Sequence, residues 1–181
     1  MREQKLIKKA IQGDKECLEK LLVIHGEQLY RTAFLYVRDR EDALDVVQET
    51  SYKAFLSIDQ LRKEEYFLTW LTKILINCSY DILKKSKKEL PLHNLVDLAT
   101  DKSEHSEESM DLLEAINRLN NNQKNAIILF YFQDLPISGV AEVMNIPENT
   151  VKTYLSRGKR RLKKLLGGIG YDEERILSRS I

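Results

Sequence analysis

A cationic stretch near the C-terminus has the residue types that bind nucleic acid. Seven Lys or Arg and no acid lie between Lys152 and Lys164. A recognition helix in the major groove presents its N-terminal residues to base edges, so Thr153, Ser156 and Arg157 are the candidates for reading bases. The remaining cations of that face would hold backbone phosphates and make the affinity salt-dependent: Lys152, Lys159, Arg160 and Lys163.

The residues around this stretch follow the pattern of a helix-turn-helix. Residues 137–144 predict a short amphipathic helix, Asn145 favours a turn, and Pro147 marks the start of a helix over 148–166. Ala141 is small where two such helices must cross closely. The predicted inward face of the second helix is apolar at helical spacing, at Val151, Tyr154, Leu155, Leu162, Leu165 and Leu166. The alternative is a solvated basic face on a helical hairpin, which the tight turn and the small residue disfavour.

An acidic face is predicted on a helix in the N-terminal half. Asp45, Gln48, Glu49 and Tyr52 are spaced at i, i+3, i+4 and i+7, so they share one side of a helix over about 39–57. Acidic groups repel DNA, and this face therefore suits a positively charged protein partner. Taken alone, the pattern favours a solvated acidic face over a binding surface.

The next predicted helix, about 66–85, has two stripes. One is apolar and spaced for a core, with Phe67, Leu71, Ile74, Leu75, Cys78 and Ile82. The other mixes an aromatic ring, an amide and cations, the combination with which proteins hold unstacked single-stranded bases: Trp70, Lys73, Asn77, Asp81 and Lys84. The alternative for Trp70 is a core position.

The positions of these faces predict an all-α protein of two small helical domains. Further helices are expected over about 3–12, 15–37, 110–119 and 123–132, and residues 59–65 read as a polar loop. Residues 1–88 and 110–168 have net charges of +3 and +4, whereas residues 89–109 have one cation against six acids. We therefore expect two basic modules joined by a flexible acidic linker, with a short helical turn around 92–98 and an unassigned tail at 169–181.

Several classes of protein are disfavoured by the sequence. The longest apolar run has seven residues and the first residues lack the apolar core of a signal peptide, so a cytoplasmic protein is expected. Cys17 and Cys78 lie far apart and the histidines lack metal-ligand spacing. The cysteines are therefore predicted to be small buried side chains, and no metal or other cofactor is expected. The sequence shows no set of catalytic residue types at a plausible spacing. This argues against an enzyme.

Three segments together resemble the extracytoplasmic-function (ECF) sigma factors of the sigma-70 family. Residues 42–50, DALDVVQET, resemble the family segment that contacts the polymerase clamp. Residues 70–81, with the pattern W-L-x-x-I-x-x-N-x-x-x-D, resemble the helix that melts and reads the −10 element. Residues 150–162 resemble the −35 reading helix. The likeness extends over about residues 1–88 and 110–166, and the order of the three segments makes it specific.

The resemblance implies a role for individual residues. Asp45, Gln48 and Glu49 would bind the clamp, with Tyr52 on the same face. The −10 strand and its flipped base would be surrounded by Lys53, Ser57, Leu61, Ile74, Asn77 and Asp81. The chain departs from the family pattern at Tyr154 (often Arg), Gly158 (usually Ala) and Lys84 (commonly Arg), which affects the bases that are read.

It also implies a domain plan and partners. Residues 1–88 would be the region 2 domain, 89–109 the acidic linker, 110–168 the region 4 helix-turn-helix domain and 169–181 a tail. The expected partners are core RNA polymerase through its β′ clamp and β flap, promoter DNA, and an anti-sigma factor, with a membrane anchor as one option. Neither a small-molecule substrate nor a cofactor is implied. The expected function is an alternative sigma factor in a stress or envelope response.

Two rival classes differ in testable ways. A helix-turn-helix regulator would bind DNA without polymerase and would not need Asp45 or Glu49, and an enzyme would need a catalytic site. A separate hypothesis is that the acidic linker screens the basic modules from DNA in the free protein.

Overall fold

The computed structural model describes the backbone of residues 2–89 and 107–166 and the side chains of residues 3–85 and 112–166. Most of the predicted acidic linker, the helical turn at 92–98 and the tail at 169–181 lie outside the described residues. The chain divides into two compact units, Met1–Ser86 and Lys87–Ile181. All regular structure in the described ranges is helical, which confirms the prediction of two small helical domains.

The N-terminal unit contains four α-helices. They are α1 (Arg2–Ile11), α2 (Lys15–Val37), α3 (Arg40–Ser57) and α4 (Phe67–Glu89). Two short 3₁₀ turns, Ile58–Gln60 and Glu64–Tyr66, occupy the segment that was predicted to be a polar loop. Ile58 and Leu61 are buried there, because these apolar side chains anchor the connection to the core.

Local signals set both ends of α2 and the start of α3. Asp14 Oδ1 accepts a hydrogen bond from Cys17 N at 3.0 Å and caps α2, and Asp39 Oδ1 accepts one from Asp42 N at 2.9 Å and caps α3. Arg38 lies between α2 and α3 with a φ of 65°. This left-handed residue ends α2 sharply, and α3 can then pack along α2.

The core of the N-terminal unit is apolar and closely follows the predicted periodicity. Leu18, Leu21 and Ala33 of α2 are buried, as are Ala43 and Val46 of α3. Four of the six predicted core positions of α4 are buried, Phe67, Leu71, Leu75 and Cys78, whereas Ile74 and Ile82 are only half-buried. Both cysteines are free and buried, as the sequence indicated.

The C-terminal unit contains the remaining helices. They are α5 (Glu107–Asn117), α6 (Asn121–Ile127), α7 (Ile137–Met144) and α8 (Glu148–Leu165). Helix α5 begins at Glu107, three residues before the predicted helix start at residue 110. Helix α6 begins earlier than predicted because Asn120 caps it, accepting a bond from Gln123 N at 2.9 Å. Residues Ile128–Phe132 continue α6 as a π-helical turn, which the apolar run did not distinguish from an α-helix.

The corner between α7 and α8 has the geometry of a helix-turn-helix. Asn145 takes a left-handed φ of 53°, and Ile146 N donates to Ala141 O at 3.0 Å. Val140 and Ala141 are buried, whereas Met144 is half-buried. The turn brings α8 against α7 and α6. Among the described helices, none has the length and apolar character that a bilayer crossing requires.

Candidate nucleic-acid interface

The two faces of α8 separate as the sequence predicted. Val151, Leu155, Gly158 and Leu162 are buried against the unit. Of the predicted DNA-binding side chains, six are exposed and Lys159 is half-buried: Lys152, Thr153, Ser156, Arg157, Arg160 and Lys163. The predicted inward side chains Tyr154, Leu165 and Leu166 are only half-buried, because they lie at the margin of the apolar stripe.

The electrostatics of this unit favour an anionic partner. Residues 112–166 contain nine Lys or Arg and four Asp or Glu. The acid of α8 is Glu148 in its first turn, and Lys163 and Lys164 are in its last turn. These positions complement the helix dipole, and they leave the middle of the helix with cations alone. Such a surface attracts phosphates and loses affinity with rising salt.

A cationic cleft in the same unit was missed by the sequence reasoning. It has a volume of about 530 Å³ and is lined by residues from α8, from the turn between α5 and α6, and from α6 itself: Arg118, Asn120, Gln123, Arg157, Arg160, Arg161 and Lys164. Arg161 and Lys164 belong to the cationic stretch between Lys152 and Lys164. Arg118 precedes them by more than 40 residues, and no local pattern connects it to α8.

Helix α3 exposes the predicted acidic face. Asp45, Gln48, Glu49 and Tyr52 are all exposed, and Tyr52 retains 61% of its accessible surface. Apolar side chains on the same helix are also exposed, at Leu44, Phe55 and Leu56. Exposed large apolar groups beside charges are typical of a protein-binding surface. The helical spacing predicted the acidic residues of this face, but it did not predict that these apolar neighbours would be exposed.

Helix α4 places the predicted single-strand surface mostly toward solvent. Lys73, Asn77, Asp81 and Lys84 are exposed, and Ile74 is half-buried. Trp70 is half-buried, with its ring centroid 5.9 Å from that of Phe67. The ring is therefore anchored to the core on one side while part of it remains accessible. The core alternative therefore describes only one side of Trp70, and stacking of a base on the ring stays a prediction.

Lys53 connects α3 to α4. Its Nζ lies 3.4 Å from Glu49 Oε1 and 3.7 Å from Asp81 Oδ2. Partial burial acts against the charge of Lys53, but interactions with Cys78 and with the Glu49 carboxylate outweigh it and raise the pKa of the ammonium. Lys53 is therefore charged under all physiological conditions.

The two remaining predicted −10 residues are less accessible. Ser57 Oγ donates to Lys53 O at 2.7 Å, so its hydroxyl proton is already engaged within α3. Leu61 is only 6% exposed and packs in the core. The structure therefore places Leu61 beneath the surface that the other predicted residues form.

Two family models match the two units. The model described as Sigma-70 region 2 matches residues 21–89, and the model described as Sigma-70, region 4 matches residues 109–162. The chain therefore carries the paired regions of a sigma factor, in the order that the sequence predicted.

Individual relatives agree with this assignment. The chain is 36% identical to the RNA polymerase sigma factor SigV of Bacillus subtilis (strain 168) over 154 residues, covering 84% of this chain and 92% of SigV. It is 30% identical to the ECF RNA polymerase sigma factor SigM of Mycobacterium tuberculosis (strain ATCC 35801 / TMC 107 / Erdman), covering 87% and 81%. The chain belongs to the ECF sigma factors of the sigma-70 family.

Solved structures share the fold. The structure of CnrH in complex with the cytosolic domain of CnrY is similar with a TM-score of 0.73, 19% identity, and coverage of 94% of this chain and 100% of CnrH. The sigma factor RpoE in complex with the anti-sigma factor NepR from Bartonella quintana also gives a TM-score of 0.73, with 24% identity and coverage of 84% and 98%.

Proposed function

We propose that the protein is an alternative sigma factor that directs core RNA polymerase to specific promoters, in a stress or envelope response. The observation that carries the proposal is the presence of sigma-70 regions 2 and 4 on one chain. An acidic protein-binding face on the first unit and a cationic helix-turn-helix on the second support it. The protein would be a transcription initiation factor without catalytic groups of its own, acting in the cytoplasm where the polymerase works.

The polymerase contact is assigned to α3. Asp45, Gln48, Glu49 and Tyr52 would bind a positively charged surface of the β′ clamp. The acids would steer the encounter and fix the orientation of the complex, since charge complementarity acts on the association rate and the register. The exposed apolar side chains Leu44 and Leu56 would supply the buried area that a stable interface requires.

The −10 element is assigned to the α3–α4 side of the first unit. Trp70 would stack on an unpaired base, because its ring is anchored by Phe67 and partly accessible. Asn77 would hydrogen-bond a flipped base, and Lys73 and Lys84 would hold the backbone. The ion pair between Lys53 and Asp81 would fix the orientation of both groups beside the strand. Ser57, Leu61 and Ile74 would shape this surface from below.

The −35 element is assigned to α8. Thr153, Ser156 and Arg157 lie in the exposed N-terminal half of the helix, which is the part that reaches base edges in a helix-turn-helix. Lys152, Lys159, Arg160 and Lys163 would hold the phosphates. Arg157 is the strongest specificity candidate because its guanidinium can bond a guanine bidentately.

An anti-sigma factor is proposed as a further partner. The solved relatives include CnrH with the cytosolic domain of CnrY and RpoE with the anti-sigma factor NepR. An inhibitor that covers the acidic and apolar face of α3 would block the clamp contact. A membrane-anchored inhibitor would suit an envelope signal.

Run-off transcription with purified core polymerase tests the proposal. Wild-type protein should give promoter-specific transcripts, and Asp45→Ala/Glu49→Ala should lose most of them because the variant no longer binds core polymerase. Glu19→Ala/Glu64→Ala removes two exposed acids elsewhere on the first unit and should transcribe normally. Sequence-specific DNA binding by wild-type protein that neither needs nor recruits core polymerase would favour the helix-turn-helix regulator instead.

A further inference from the structure

The cleft of the C-terminal unit combines five cations with two amides. Its lining consists of Arg118, Asn120, Gln123, Arg157, Arg160, Arg161 and Lys164. Only Arg157 and Arg160 were assigned to DNA by the sequence analysis. The other five residues have no role in the function proposed above.

Gly158 lies beside this cleft, where α6 packs closely on α8. A Cβ at this position would lie 3.0 Å from Ile127 Cγ1 and 3.6 Å from Gln123 Cβ. Helix α6 therefore packs closely on α8 both at Gln123 and at Ile127, the last residue of α6. This contact brings Asn120 and Gln123 beside Arg157 and Arg161, which flank Gly158 on α8.

The chemistry of the lining fits phosphate groups. Four of the five cations are guanidinium groups, whose planar forks match phosphate oxygens bidentately. The side-chain amides of Asn120 and Gln123 add neutral donors. The acid nearest in the chain, Glu114, pairs with Arg118 at the edge and is not part of the lining. Cations concentrated in this way repel one another until an anion occupies the space between them.

The position of the cleft on α8 indicates which phosphates it would bind. Counting about 100° per residue from the buried Val151, the cations Lys152, Lys159 and Lys163 lie about 80–120° around the helix in one direction. Arg157, Arg161 and Lys164 lie about 80–140° in the other direction. A helix in the major groove has one phosphate backbone on each side, and the first set of cations can reach only one of them.

We infer that the cleft binds the backbone phosphates of the second DNA strand beside the −35 element, with Arg118, Arg161 and Lys164 as its positioning residues. This inference rests on the proposed function, because it takes α8 as the −35 reading helix. Arg157 and Arg160 belong to both the cleft and the outward face of α8, so the cleft is continuous with the base-reading surface. That continuity favours the same DNA molecule over a separate soluble anion.

Phosphate ethylation interference provides the test. The full chain is bound with core polymerase to a promoter fragment selected by the holoenzyme, and the −35 phosphates whose ethylation blocks binding are mapped on both strands. Arg161→Gln/Lys164→Gln should remove interference on one strand only. Lys152→Gln/Lys163→Gln should remove it on the opposite strand. Each lost phosphate contact should also reduce the slope of log affinity against log salt by about 0.9.

A matched control separates the local effect from net charge. Lys5→Gln/Lys8→Gln removes two exposed charges from α1 of the other unit and should leave the map unchanged. Thermal unfolding of each variant verifies the fold, and Arg161→Lys/Lys164→Arg, which keeps both charges, should retain the wild-type map.

If Arg161→Gln/Lys164→Gln alters no phosphate, or the same phosphates as Lys152→Gln/Lys163→Gln, the inference is wrong while the sigma function stands. Failure of the wild-type protein to form any promoter complex would instead contradict the proposed function.

A soluble polyphosphate is the competing source of the same chemistry. Calorimetric titration of the full chain with inorganic tripolyphosphate distinguishes it. We expect no stoichiometric binding below millimolar concentration. Tight one-to-one binding that Arg161→Gln/Lys164→Gln abolishes, together with an unchanged DNA map, would overturn the assignment to DNA.

Discussion

Lys53 of α3 and Asp81 of α4 form an ion pair between the two helices, with 3.7 Å between Nζ and Oδ2. The same ammonium lies 3.4 Å from Glu49 Oε1. Glu49 belongs to the proposed polymerase-binding face and Asp81 to the proposed −10 surface, so one cation connects the two. When a cation of the polymerase pairs with Glu49, Lys53 would lose that ion pair. It would then interact with Asp81 and with the DNA strand.

Replacing Lys53 should therefore affect promoter opening more than stability. The ion pairs are exposed, and such pairs contribute about 0–1 kcal/mol, so Lys53→Met should change the free energy of unfolding by less than about 1 kcal/mol. Permanganate footprinting should show a clear loss of unpaired thymines at the −10 element in the variant holoenzyme. Lys20→Met, an exposed change on α2, serves as the control. Normal opening by the Lys53 variant would remove this residue from the proposed −10 surface.

Arg157 and Lys163 should differ in how they affect recognition. Arg157→Ala should cost about 1–3 kcal/mol of discrimination at one base pair of the −35 element. Lys163→Ala should weaken binding to all sequences equally and reduce the salt slope by about 1. Competition binding against single-base variants of the −35 element measures both effects. An equal loss for every sequence in the Arg157 variant would assign that residue to the backbone.

Stability should decline at alkaline pH because of Tyr36. Burial raises the pKa of the Tyr36 hydroxyl well above 10, and the neighbouring Tyr80 adds to the rise. The folded protein therefore keeps this proton above pH 10, while the unfolded chain loses it. The stability associated with Tyr36 is complete below about pH 10 and falls by about 1.4 kcal/mol per pH unit above it.

Urea unfolding between pH 9 and pH 11 measures this slope. Tyr36→Phe should remove the Tyr36 part of it, and Tyr52→Phe, which alters an exposed side chain, should leave the slope as in wild type. Identical slopes in wild type and Tyr36→Phe would contradict the account of Tyr36.

The contribution of the α3 cap to stability should be measurable. Asp39 bonds Asp42 N at the start of α3, and loss of such a cap typically costs about 1 kcal/mol. We expect Asp39→Ala to lower the free energy of unfolding by that amount and Asp39→Asn, which can still accept the bond, to lower it little. A chemical denaturation series compares them, and equal stability of all three proteins would show that the cap contributes nothing.

Gly158 should tolerate only a small substitution. A new Cβ would meet Ile127 at 3.0 Å, while Ala in place of Gly favours a helix by about 1 kcal/mol. The steric contact with Ile127 and the higher helix propensity of Ala act in opposite directions. Gly158→Ala should therefore change the free energy of unfolding by less than about 1 kcal/mol. Gly158→Leu should cost about 1–3 kcal/mol through overpacking. A Leu variant as stable as wild type in urea would mean that α6 and α8 are not closely packed here.

Local signals made most of the helices predictable. The caps at Asp14 and Asp39 and the left-handed Asn145 act within a few residues, and the apolar period of α8 identifies its buried face. The exposed acidic and cationic faces followed from the same periods, because a side chain opposite a buried stripe must face solvent.

Features that depend on long-range packing were not predictable. Leu61 lies in the segment that was predicted to be a polar loop. It is nevertheless buried, because the 3₁₀ turns fold it against the core. The π-helical turn Ile128–Phe132 lies in an apolar run that has no distinguishing period. The cationic cleft needs Arg118 and Arg161 from different elements, and only the packing of α6 on α8 at Gly158 brings them together.

Footprinting on a single promoter fragment, with and without core polymerase, tests the central claim most directly. The account predicts that the holoenzyme protects two separate blocks, at the −35 and the −10 elements, with unpaired bases in the second. It also predicts that both blocks disappear with Asp45→Ala/Glu49→Ala, because the first unit then loses the enzyme. Protection of one block that forms equally well without core polymerase would contradict the account.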